Sequence, residues 1–507
     1  MSKGREEKLA VGLDFGTTNS SICYCPADGR PLVVSIPQLP EGQQLPYLPG
    51  YIYFAGGRRV YVGQCAKKYY HLKPHRVIRS VKRELDSMFR VGKNTYSGGS
   101  LAGMIMRRLL AACREQAGQV VRECFLTVPS TFGHRERGTL RSALLKASRS
   151  LEKVLLLDEP LAAFIAHMSH ADSPAGGPGA VNVMLIDMGG GTTDLAVLRV
   201  EGAGRSMQVT PLSVWSHVRF GGDDFDRFTA MDIALRRIEE GLVSYDALTE
   251  SERKFLWGSY FTAAEEIKLN LAENGKDTQV SVTSLPGEKP LDYSVNEAGY
   301  RQVTRPLLET LRESIRYVLE RGGTNARACD RIVLTGGMSR FRIIQDEVAE
   351  FFGRAPELSP HPLRAVAEGA CLRHASVLNP DREGIETVKP VLTKALFLRL
   401  AGRQMVKVLP SCLQLPVKVR IEKKFVTPLA RTDALRIPFY QGNDDGSEAR
   451  HLVTLTLRGK RILPPALSIS IDVEVDENKM ITLDANPQKE GPGLELRPGS
   501  SASVWGL

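Results

Sequence analysis

The stretch LAVGLDFGTTNSS, residues 9–21, carries an apolar run into Asp14 and then into a short turn of glycine, threonine and asparagine. The stretch LIDMGGGTTDLAVL, residues 185–198, repeats this order around Asp187. A single segment of this kind is typical of an ordinary hairpin, because Asp and Gly both favour tight turns. Two of them in one chain predict a duplicated strand–turn–strand unit, each carrying an acid at the end of its first strand.

The residue types in these turns favour phosphate binding. Glycine lets the backbone approach an anion closely, and consecutive N–H groups in a turn form an anion-binding concavity. Threonine hydroxyls add donors, and Asp14 and Asp187 supply the oxygen ligands that Mg²⁺ prefers. No G-x-x-x-x-G-K-[ST] motif occurs, and a strand follows each turn where a P-loop has a helix. The sequence therefore predicts a phosphate and metal site unlike a P-loop.

The pattern around the two turns alternates between strands and helices up to about residue 380. Apolar strand-like runs lie at 124–129, 154–157, 181–187, 195–200 and 331–335, and amphipathic helical patterns lie at 100–118 and 135–147. This alternation predicts a layered α/β core. After residue 380, short β-type segments such as ALRIPFY, LVTLTL and LSISIDVEVD alternate with turn signals. That spacing predicts a small antiparallel β-sandwich.

Composition and charge narrow the class of protein. The 507 residues carry a net charge of +10 spread along the chain, with KVRIEKK at 418–424 as the densest short basic patch. We interpret that patch as a solvated strand face and expect no nucleic-acid partner. No apolar run is long enough for a membrane helix, the N-terminus lacks a signal-peptide pattern, and the eight cysteines are scattered. We expect a cytoplasmic protein with reduced thiols and no membrane partner.

Six further segments stand out along the chain. In order they are VGQCAKKYYHLKPHRVIRSVKREL, FLTVPSTFGHRER, LLLDEPLAAFIAH, FGGDDFD, AAEEIKLNL and VLTGGMSRF. Together with the two turns, they resemble segments of the seventy-kilodalton heat-shock chaperones of the DnaK type, members of the actin-like ATPase superfamily. The resemblance runs from about residue 8 to 376 and, more weakly, to about 490.

This resemblance implies a fold and its boundaries. The fold is α/β, with a two-lobed actin-like (duplicated ribonuclease-H-like) ATPase domain followed by a small all-β sandwich domain. We expect the ATPase domain at 8–382, an interdomain linker at 383–395, a substrate-binding-like β-sandwich at 396–490 and a flexible tail at 491–507. The chain would then lack the helical lid that follows the sandwich in this family, so a bound peptide should leave quickly.

The resemblance also implies roles for individual residues in the binding of ATP or ADP with Mg²⁺ and, as a further candidate, K⁺. Asp14 and Asp187 would hold the metal, and Lys82 would neutralise charge on the γ-phosphate. Glu159 and Asp194 would orient or deprotonate the attacking water, with Thr192 beside them. The residues implied to contact the nucleotide are Gly16, Thr17, Thr18, Asn19, Gly189, Gly190, Gly191, Thr192, Gly221, Gly222, Glu265, Lys268, Gly336, Gly337, Ser339 and Arg340. Pro129 and Arg137 would relay the nucleotide state to the second domain. Considered singly, these residues have plainer interpretations: Lys82 as a surface lysine and Glu159 as a helix N-terminal acid.

Several positions depart from the family pattern. The places of an arginine and an asparagine that dock J-domain partners hold Leu155 and Asp158, so we expect weaker J-domain docking. Ala272 and Leu363 replace a serine and an aspartate, which should reduce nucleotide affinity. The region NPDREGIETVKPVLTKALFLRL lacks the acidic-flanked leucine run that links the domains in this family, which should weaken their coupling.

Two functions of different classes follow. The first is an ATP-hydrolysing chaperone-like protein whose nucleotide state is coupled to the binding of unfolded or extended polypeptides, with a J-domain co-chaperone and a nucleotide-exchange factor as candidate partners. The second is a nucleotide-gated adaptor that binds one dedicated partner, with slow or no turnover. A third possibility, a sugar or acetate kinase of the same superfamily, is disfavoured by the C-terminal β domain.

Overall fold

The computed structural model describes most of the chain. The described residues are 8–26, 29–38, 43–56, 59–70, 72–170, 179–202, 207–274, 277–285, 288–379, 387–388, 390–400, 404–426, 434–458, 468–487 and 497–498. Residues 383–386 and 389 of the predicted linker, and the predicted tail apart from 497–498, lie outside them.

The chain divides into two compact units. Unit 1 comprises Met1–Ser130 and Thr139–Val388, and unit 2 comprises Thr131–Gly138 and Lys389–Leu507. Unit 2 therefore includes a short segment from the region where the sequence predicted only the ATPase domain. The boundaries at 382, 395 and 490 stay predictions.

The first half of unit 1, residues 8–170, is built around a six-stranded sheet with the path β13-β12-β1-β2-β3, where β6 also pairs with β2. The strands of this half are β1 (Ala10–Asp14), β2 (Asn19–Cys25), β3 (Leu32–Val33), β4 (Ile36–Gln38), β5 (Gln43–Leu45), β6 (Leu48–Pro49), β7 (Tyr51–Gly56), β8 (Arg59–Val62), β9 (Val77–Arg79), β10 (Met88–Val91), β11 (Asn94–Ser97), β12 (Glu123–Val128) and β13 (Lys153–Asp158). Its helices are α1 (Gln64–Lys68), α2 (Gly98–Ala117), α3 (His134–Ala147, whose first residues belong to unit 2) and α4 (Glu159–His170).

The second half, residues 179–388, is built around a sheet of order β20-β19-β14-β15-β16-β21. The strands are β14 (Val181–Met188), β15 (Thr193–Glu201), β16 (Gln208–His217), β17 (Thr278–Val282), β18 (Leu291–Val295), β19 (Arg331–Thr335), β20 (Glu357–Leu358) and β21 (Thr387–Val388). The helices are α5 (Gly222–Glu239), α6 (Glu250–Asn274), α7 (Glu297–Arg321), α8 (Arg342–Phe352) and α9 (Ala365–Leu378).

The two halves have matching centres. In the first, β1 pairs in parallel with β12 and antiparallel with β2. In the second, β14 pairs in parallel with β19 and antiparallel with β15. Strand β14 is an almost continuous apolar run because it is buried on both faces. The duplicated strand–turn–strand unit predicted from the two turns and the two-lobed α/β fold implied by the resemblance are therefore confirmed.

Helix α9 packs on the first sheet and depends on a glycine in β1. A Cβ on Gly12 would lie 2.2 Å from the Cys371 backbone nitrogen, so a larger residue would push the helix away. The Val11 N–H also donates to His374 Nδ1 at 2.8 Å. Glycine at this position thus permits direct backbone contact between the last helix of unit 1 and its first strand.

Unit 2 is mainly β structure. Its strands are β22 (Ala395–Arg399), β23 (Met405–Leu409), β24 (Val417–Val426), β25 (Ala434–Gly442), β26 (Arg450–Arg458), β27 (Ser468–Val475), β28 (Ile481–Pro487) and β29 (Arg497–Pro498). They form one sheet of order β23-β22-β25-β26-β29 and another of order β24-β27-β28. Side chains from both sheets, such as Phe439 and Ile471, share one apolar core. The predicted small β-sandwich is confirmed.

None of the helices in the described residues combines the length and apolarity that crossing a lipid bilayer requires.

Candidate active site

The two acids of the sequence repeat occupy equivalent places in the two sheets. Asp14 ends β1 and lies opposite Thr127 of the parallel strand β12. Asp187 lies near the end of β14, opposite Thr335 of β19 on one side and Asp194 of β15 on the other. Ligands of α/β sheets bind outside the carboxyl ends of the strands. The repeat therefore places one carboxylate from each half at the edge where a ligand is expected.

The turns that follow these acids meet face to face. A Cβ on Gly190 would lie 1.9 Å from Thr18 Oγ1, and a Cβ on Gly191 would lie 2.2 Å from Thr17 Cγ2. Only glycine permits this approach of the second turn to the first. The Thr17 hydroxyl is buried and makes no hydrogen bond within the described residues, so a donor is held ready between the turns.

The remaining predicted turn residues support this arrangement. In the first turn, the Gly16 N–H donates to Ser20 Oγ at 3.2 Å, and Asn19 begins β2. In the second turn, the Gly189 N–H donates to the carbonyl oxygen of the buried Thr192 at 2.9 Å.

The Gly221–Gly222 turn before α5 packs against the second turn. The Gly222 N–H donates to the Gly189 carbonyl at 3.0 Å, and a Cβ on Gly221 would lie 2.8 Å from the same oxygen. The Gly-Gly sequence thus brings the start of α5 into backbone contact with the loop that follows Asp187.

A buried ion pair lies beside the two acids. Lys82 Nζ is 2.5 Å from Glu159 Oε1, and the two side chains are 2% and 6% exposed. Lys82 belongs to a 3-10 turn at Val81–Glu84, and Glu159 begins α4. The fold therefore buries a lysine that the sequence alone could equally have placed on the surface.

Negative charge dominates this cluster. Burial raises the pKa of Asp14, against the attraction of Lys82. Burial raises the pKa of Asp187 well above its usual range, and the charges of Asp194 and Asp14 add to the effect. Burial raises the pKa of Asp194 to about 6 and that of Glu159 well above its usual range. Burial disfavours the charged form of Lys82, but Glu159 and Asp14 prevail and raise its pKa. Four carboxyl groups around one lysine favour the arrival of a further cation.

Hydroxyl groups orient two of these carboxylates. Thr127 Oγ1 donates to Asp14 Oδ1 at 3.0 Å. Asp194 Oδ1 accepts from Ser216 Oγ and, at 3.4 Å, from the Ser130 N–H. Each of these carboxylates is thereby held in a fixed orientation. A group that positions a metal ion or a water molecule needs such an orientation.

The donor set fits Mg²⁺ better than a transition metal. Within the described residues, no group of three or more His, Cys, Asp or Glu side chains is arranged to hold a metal ion. Asp14 and Asp187 offer carboxylate oxygens alone, and Mg²⁺ is commonly held through one or two carboxylates with its waters and substrate phosphates. Burial raises the pKa of both carboxyl groups, and the attraction of Lys82 does not offset it. The residues present therefore fit a magnesium ion shared with phosphates.

The predicted adenosine residues on α6 are engaged in ion pairs. Lys268 Nζ is 2.7 Å from Asp226 Oδ2, and this pair is almost fully buried. Glu265 Oε1 is 2.7 Å from Lys67 Nζ of α1, which belongs to the first half of the unit. Because of these contacts, α6 is joined to both α5 and α1.

The strand–turn–helix segment at 331–352 brings its predicted residues to the same edge. Gly336 has a φ of +81°, and a Cβ there would lie 2.4 Å from Asp187 Oδ1. The Ser339 hydroxyl donates to the Gly336 carbonyl at 2.7 Å, while a Cβ on Gly337 would lie 3.4 Å from Leu363. Arg340 lies farther out, half exposed and 3.7 Å from Glu273.

Sequence reasoning missed the polar contacts that join the two halves. Asp223 accepts from Thr18 Oγ1 at 3.1 Å and from Ser80 Oγ at 2.8 Å. Arg83 donates to the Gly191 carbonyl at 2.8 Å and to Asp224 at 2.5 Å. These charged residues stand out in the sequence, since Arg83 follows Lys82 and the two acids follow the Gly-Gly turn. Neither pattern indicates which distant residue each side chain contacts.

A cavity of about 210 Å³ adjoins this contact and is lined in part by Thr18, Lys67, Asp223 and Glu265. Pockets for small molecules and cofactors usually measure about 300–1,000 Å³. The touching turns and a cavity of this size describe a cleft whose two halves lie close together.

The two predicted relay residues lie in different units. Pro129 is buried in unit 1, directly after β12 and before Ser130. Arg137 is buried in unit 2, and its Nε donates to the Phe132 carbonyl at 2.8 Å. The segment Thr131–Gly138 that contains Arg137 is also tied to the sandwich, since His134 Nδ1 accepts the Ile481 N–H at 2.9 Å.

Comparisons with known proteins agree with this architecture. The sequence model of the family described as Hsp70 protein matches residues 84–497. The chaperone protein DnaK of Thermotoga petrophila is 27% identical over 486 residues, which cover 93% of this chain and 77% of that protein. The chaperone protein DnaK of Thermosipho melanesiensis is 25% identical over 484 residues, with the same coverage of each chain.

The chain therefore belongs to the Hsp70 family, whose members are chaperone ATPases that bind ATP or ADP with Mg²⁺. The family match begins at residue 84, after the first turn and Lys82. The individual site roles assigned from the sequence stay predictions.

Proposed function

We propose that this member of the Hsp70 family hydrolyses ATP in the cleft of unit 1 and passes the nucleotide state to unit 2, which binds extended polypeptide segments. The observation that carries the proposal is the buried Lys82–Glu159 pair at 2.5 Å beside Asp14, Asp187 and Asp194. A buried, charge-imbalanced cluster between two glycine–threonine turns suits the polyanionic end of a nucleotide.

The residues of the cluster divide the chemistry among themselves. Lys82 places a fixed positive charge where negative charge grows as the bond to the γ-phosphoryl group breaks. Asp194, oriented by Ser216, accepts a hydrogen bond from the attacking water, and Glu159 is the second candidate acceptor. The Thr192 hydroxyl and the N–H groups of Gly190 and Gly191 orient the phosphate oxygens, while the Gly189 N–H closes the turn on the Thr192 carbonyl. Hydrolysis then yields ADP and inorganic phosphate.

Asp14 and Asp187 are the residues that would hold Mg²⁺, in large part through water. When bound, this ion neutralises phosphate charge and holds the phosphate oxygens in place. Thr127 keeps the Asp14 carboxylate turned toward the cleft at 3.0 Å. K⁺ remains a further candidate at the same phosphates.

The adenosine end is assigned to the second half of the unit, next to Asp187. Gly336 and Gly337 form a turn there against which a ring would lie, with Ser339 and Arg340 following in the same turn. Glu265 and Lys268 would receive the ribose once the cleft opens, with Glu265 released from Lys67. The small cavity and the touching turns support an opening step before nucleotide entry.

Unit 2 supplies the polypeptide-binding part of the proposal. Its two sheets with alternating strands such as β27 offer edges and grooves for extended segments. Pro129 and Arg137 are the proposed relay, because they flank the point where the chain passes from one unit to the other. A J-domain co-chaperone and an exchange factor are candidate partners. All eight cysteines are free thiols, which supports a reducing, cytoplasmic setting.

A second candidate function is a nucleotide-gated adaptor with one dedicated partner and slow turnover. Leu155 and Asp158 favour it, because they replace the cationic and amide donors that dock J-domain partners in this family. Without that stimulus, hydrolysis would remain slow and the bound nucleotide would act as a switch.

Phosphate release by the full chain, measured with Mg²⁺ and ATP and with or without unfolded peptides, tests the proposal. Turnover that requires Mg²⁺ and rises with peptide supports the chaperone function. Turnover that ignores a wide peptide set supports the adaptor. Failure of the folded chain to bind ATP at all would overturn both.

A further inference from the structure

Unit 1 contains a second, larger concavity that the nucleotide chemistry does not use. We call it the hairpin groove. Its volume is about 840 Å³, and it runs between residues 70–91 of the first half and residues 245–257 of the second half. None of its lining residues belongs to the catalytic cluster of Lys82, Glu159 and the aspartates, and it shares Tyr70 and Arg79 with the cavity beside Thr18. Its size suits a short stretch of a ligand chain.

Positive charge dominates the lining of this groove. The ionised groups are Arg79, Arg90, Arg253 and Lys254 against the single carboxylate of Glu250, a formal excess of three positive charges. Lys254 is paired with Glu250 at 2.6 Å. Arg90 and Arg253 are exposed, and their side chains have no ion pair or hydrogen bond within the described residues. Two free guanidinium groups therefore face the groove and favour an anionic occupant.

One wall of the groove is the edge of a strand. Phe89, Arg90 and Val91 are consecutive in β10, and all three line the groove. Successive side chains of a strand point to opposite faces, so three consecutive lining residues mean that the edge of β10 faces the groove. Strand β10 pairs with β11, and no second partner strand occurs in the described part of the chain. Its other edge is a template for a further strand.

Apolar groups lie beneath the charges. Val77 and Ile78 are buried at the base, while Phe89, Tyr245 and Trp257 are partly covered. Trp257 is 36% exposed and packs edge-to-face on Phe261 at 5.3 Å. The groove thus offers apolar contact below, cations at the rim and an unpaired backbone edge along one side.

We propose that the hairpin groove binds an extended acidic segment of a partner protein, which adds a strand to β10. The segment's backbone pairs with the free edge of β10, its carboxylates contact Arg90 and Arg253, and its alternate apolar side chains contact Phe89 and Trp257. This site is distinct from the polypeptide-binding surface proposed for unit 2.

A single-stranded nucleic acid suits the groove less well. The phosphates and sugars of a nucleic acid do not alternate donors and acceptors as a peptide backbone does. They would therefore leave N–H and C=O groups of the strand edge unpaired. A peptide backbone satisfies those groups directly.

The test uses the full chain and a fluorescein-labelled ten-residue peptide of alternating Glu and Val with one Phe, followed by anisotropy at 50 mM salt. We expect saturable binding that weakens as salt is raised. The exposed charge reversals Arg90→Glu and Arg253→Glu should each lower the affinity about tenfold. Arg327→Glu, an exposed arginine in the turn Ala326–Ala328 outside the groove, is the matched control and should leave affinity unchanged.

Three further arms decide between occupants. A peptide of the same sequence with N-methyl groups on alternate residues, in either phase, should bind less in at least one phase, because it cannot pair fully with β10. Equal binding of both methylated peptides overturns the added strand. A labelled ten-nucleotide DNA strand that binds as tightly as the acidic peptide and loses affinity in Arg253→Glu overturns the protein partner. If Arg90→Glu and Arg253→Glu both bind the peptide as tightly as the unchanged chain does, the peptide binds elsewhere, such as on unit 2, and the proposed site is overturned.

Discussion

The Lys82 cluster of unit 1 and His134 of unit 2 bury ionisable groups in opposite ways. In unit 1, Lys82 and Glu159 are buried together at 2.5 Å, with Asp14, Asp187 and Asp194 around them. In unit 2, His134 is 2% exposed and is held by the N–H of Ile481 at 2.9 Å. Burial lowers the pKa of His134 to about 4, against a weaker effect of Asp476, so the ring is neutral at physiological pH.

The difference separates chemistry from structure. A cluster of charges costs free energy of folding unless a ligand balances it, so a charge-imbalanced cluster indicates a site that binds something. A buried neutral group with a backbone partner costs less than an unbalanced charge, even where one of its atoms, such as His134 Nε2, has no partner within the described residues, and it fixes a segment in place. By this criterion, the Lys82 cluster is built for a ligand, and His134 fixes Thr131–Gly138 to the sandwich.

The largest expected effect is on the charged side of the comparison. Replacing Lys82 with Ala should lower the rate of ATP turnover about 10²–10³-fold, because a preorganised charge at the transferred phosphoryl group is lost. Phosphate release under single-turnover conditions measures this, with ATP binding checked by equilibrium dialysis. Lys93→Ala, at an exposed lysine, is the control. Turnover that survives in Lys82→Ala would remove the catalytic role assigned to this residue.

Lowering the pH should weaken the packing of the segment that contains His134. Above pH 6.5, His134 is neutral whether its segment is packed or open. As the pH falls from 6.5 to about 4, the open state takes up a proton first, so the packed state loses up to about 3 kcal/mol, with no further loss below pH 4. Hydrogen exchange at the Ile481 amide, corrected for its intrinsic pH dependence, follows this opening.

The variant His134→Asn keeps an acceptor for the Ile481 N–H and removes the titrating ring. Exchange in this variant should lose its dependence on pH between 6.5 and 4, while the exposed His451→Asn variant should keep it. A pH dependence that persists in His134→Asn contradicts the assignment to this ring.

A smaller effect is expected where the two turns meet. Gly190→Ala would place a methyl group 1.9 Å from Thr18 Oγ1, which holds the turns apart and disturbs the phosphate contacts. We expect the affinity for ATP to fall about tenfold, as a misplaced contact at a reacting group can cost more than this. Gly179→Ala, where an added Cβ meets no atom within 4 Å, should bind ATP normally. Equal affinities in both variants would mean that the turns do not approach during nucleotide binding.

The smallest effect concerns the polar contacts between the halves. Arg83→Ala removes hydrogen bonds to the Gly191 carbonyl and to Asp224, so the cleft should open more often. We expect release of a fluorescent ADP analogue to quicken about fivefold, since a charge-assisted hydrogen bond contributes on the order of 1.5–3 kcal/mol and part of it is regained from water. Stopped-flow measurement against Arg59→Ala, at an exposed arginine of β8, tests this. An unchanged release rate in Arg83→Ala would mean that these contacts do not limit opening.

Local patterns were sufficient for the elements and for the residue types of the site. The segment LSISIDVEVD predicted a β-strand, and the structure has β27 there with Ile471 and Val473 buried. The paired Asp–Gly–Thr turns predicted matching hairpins in the two halves. Such patterns are readable because strand period and turn chemistry depend on neighbouring residues alone.

Contacts between distant residues were not readable in the same way. Asp223 and Asp224 lie in the first turn of α5, and they also accept from Ser80 and Arg83 in the other half. Likewise, nothing in the sequence around Thr131–Gly138 indicated that this segment would group with strands more than 250 residues later. A local sequence pattern indicates the chemistry of a side chain, but it does not indicate which distant residue that side chain contacts.

By itself, the sequence determined the duplicated α/β core, the sandwich that follows it, the family, and the acids and glycines at the two turns. Only the tertiary structure decided that Lys82 is buried against Glu159, that the turns touch, that His134 is locked into unit 2, and that β10 presents a free edge beside Arg90 and Arg253. The physical reason is the separation along the chain over which each effect acts. Backbone preferences act over a few residues, whereas burial, pKa and ion pairing depend on which distant segments the closed chain brings together.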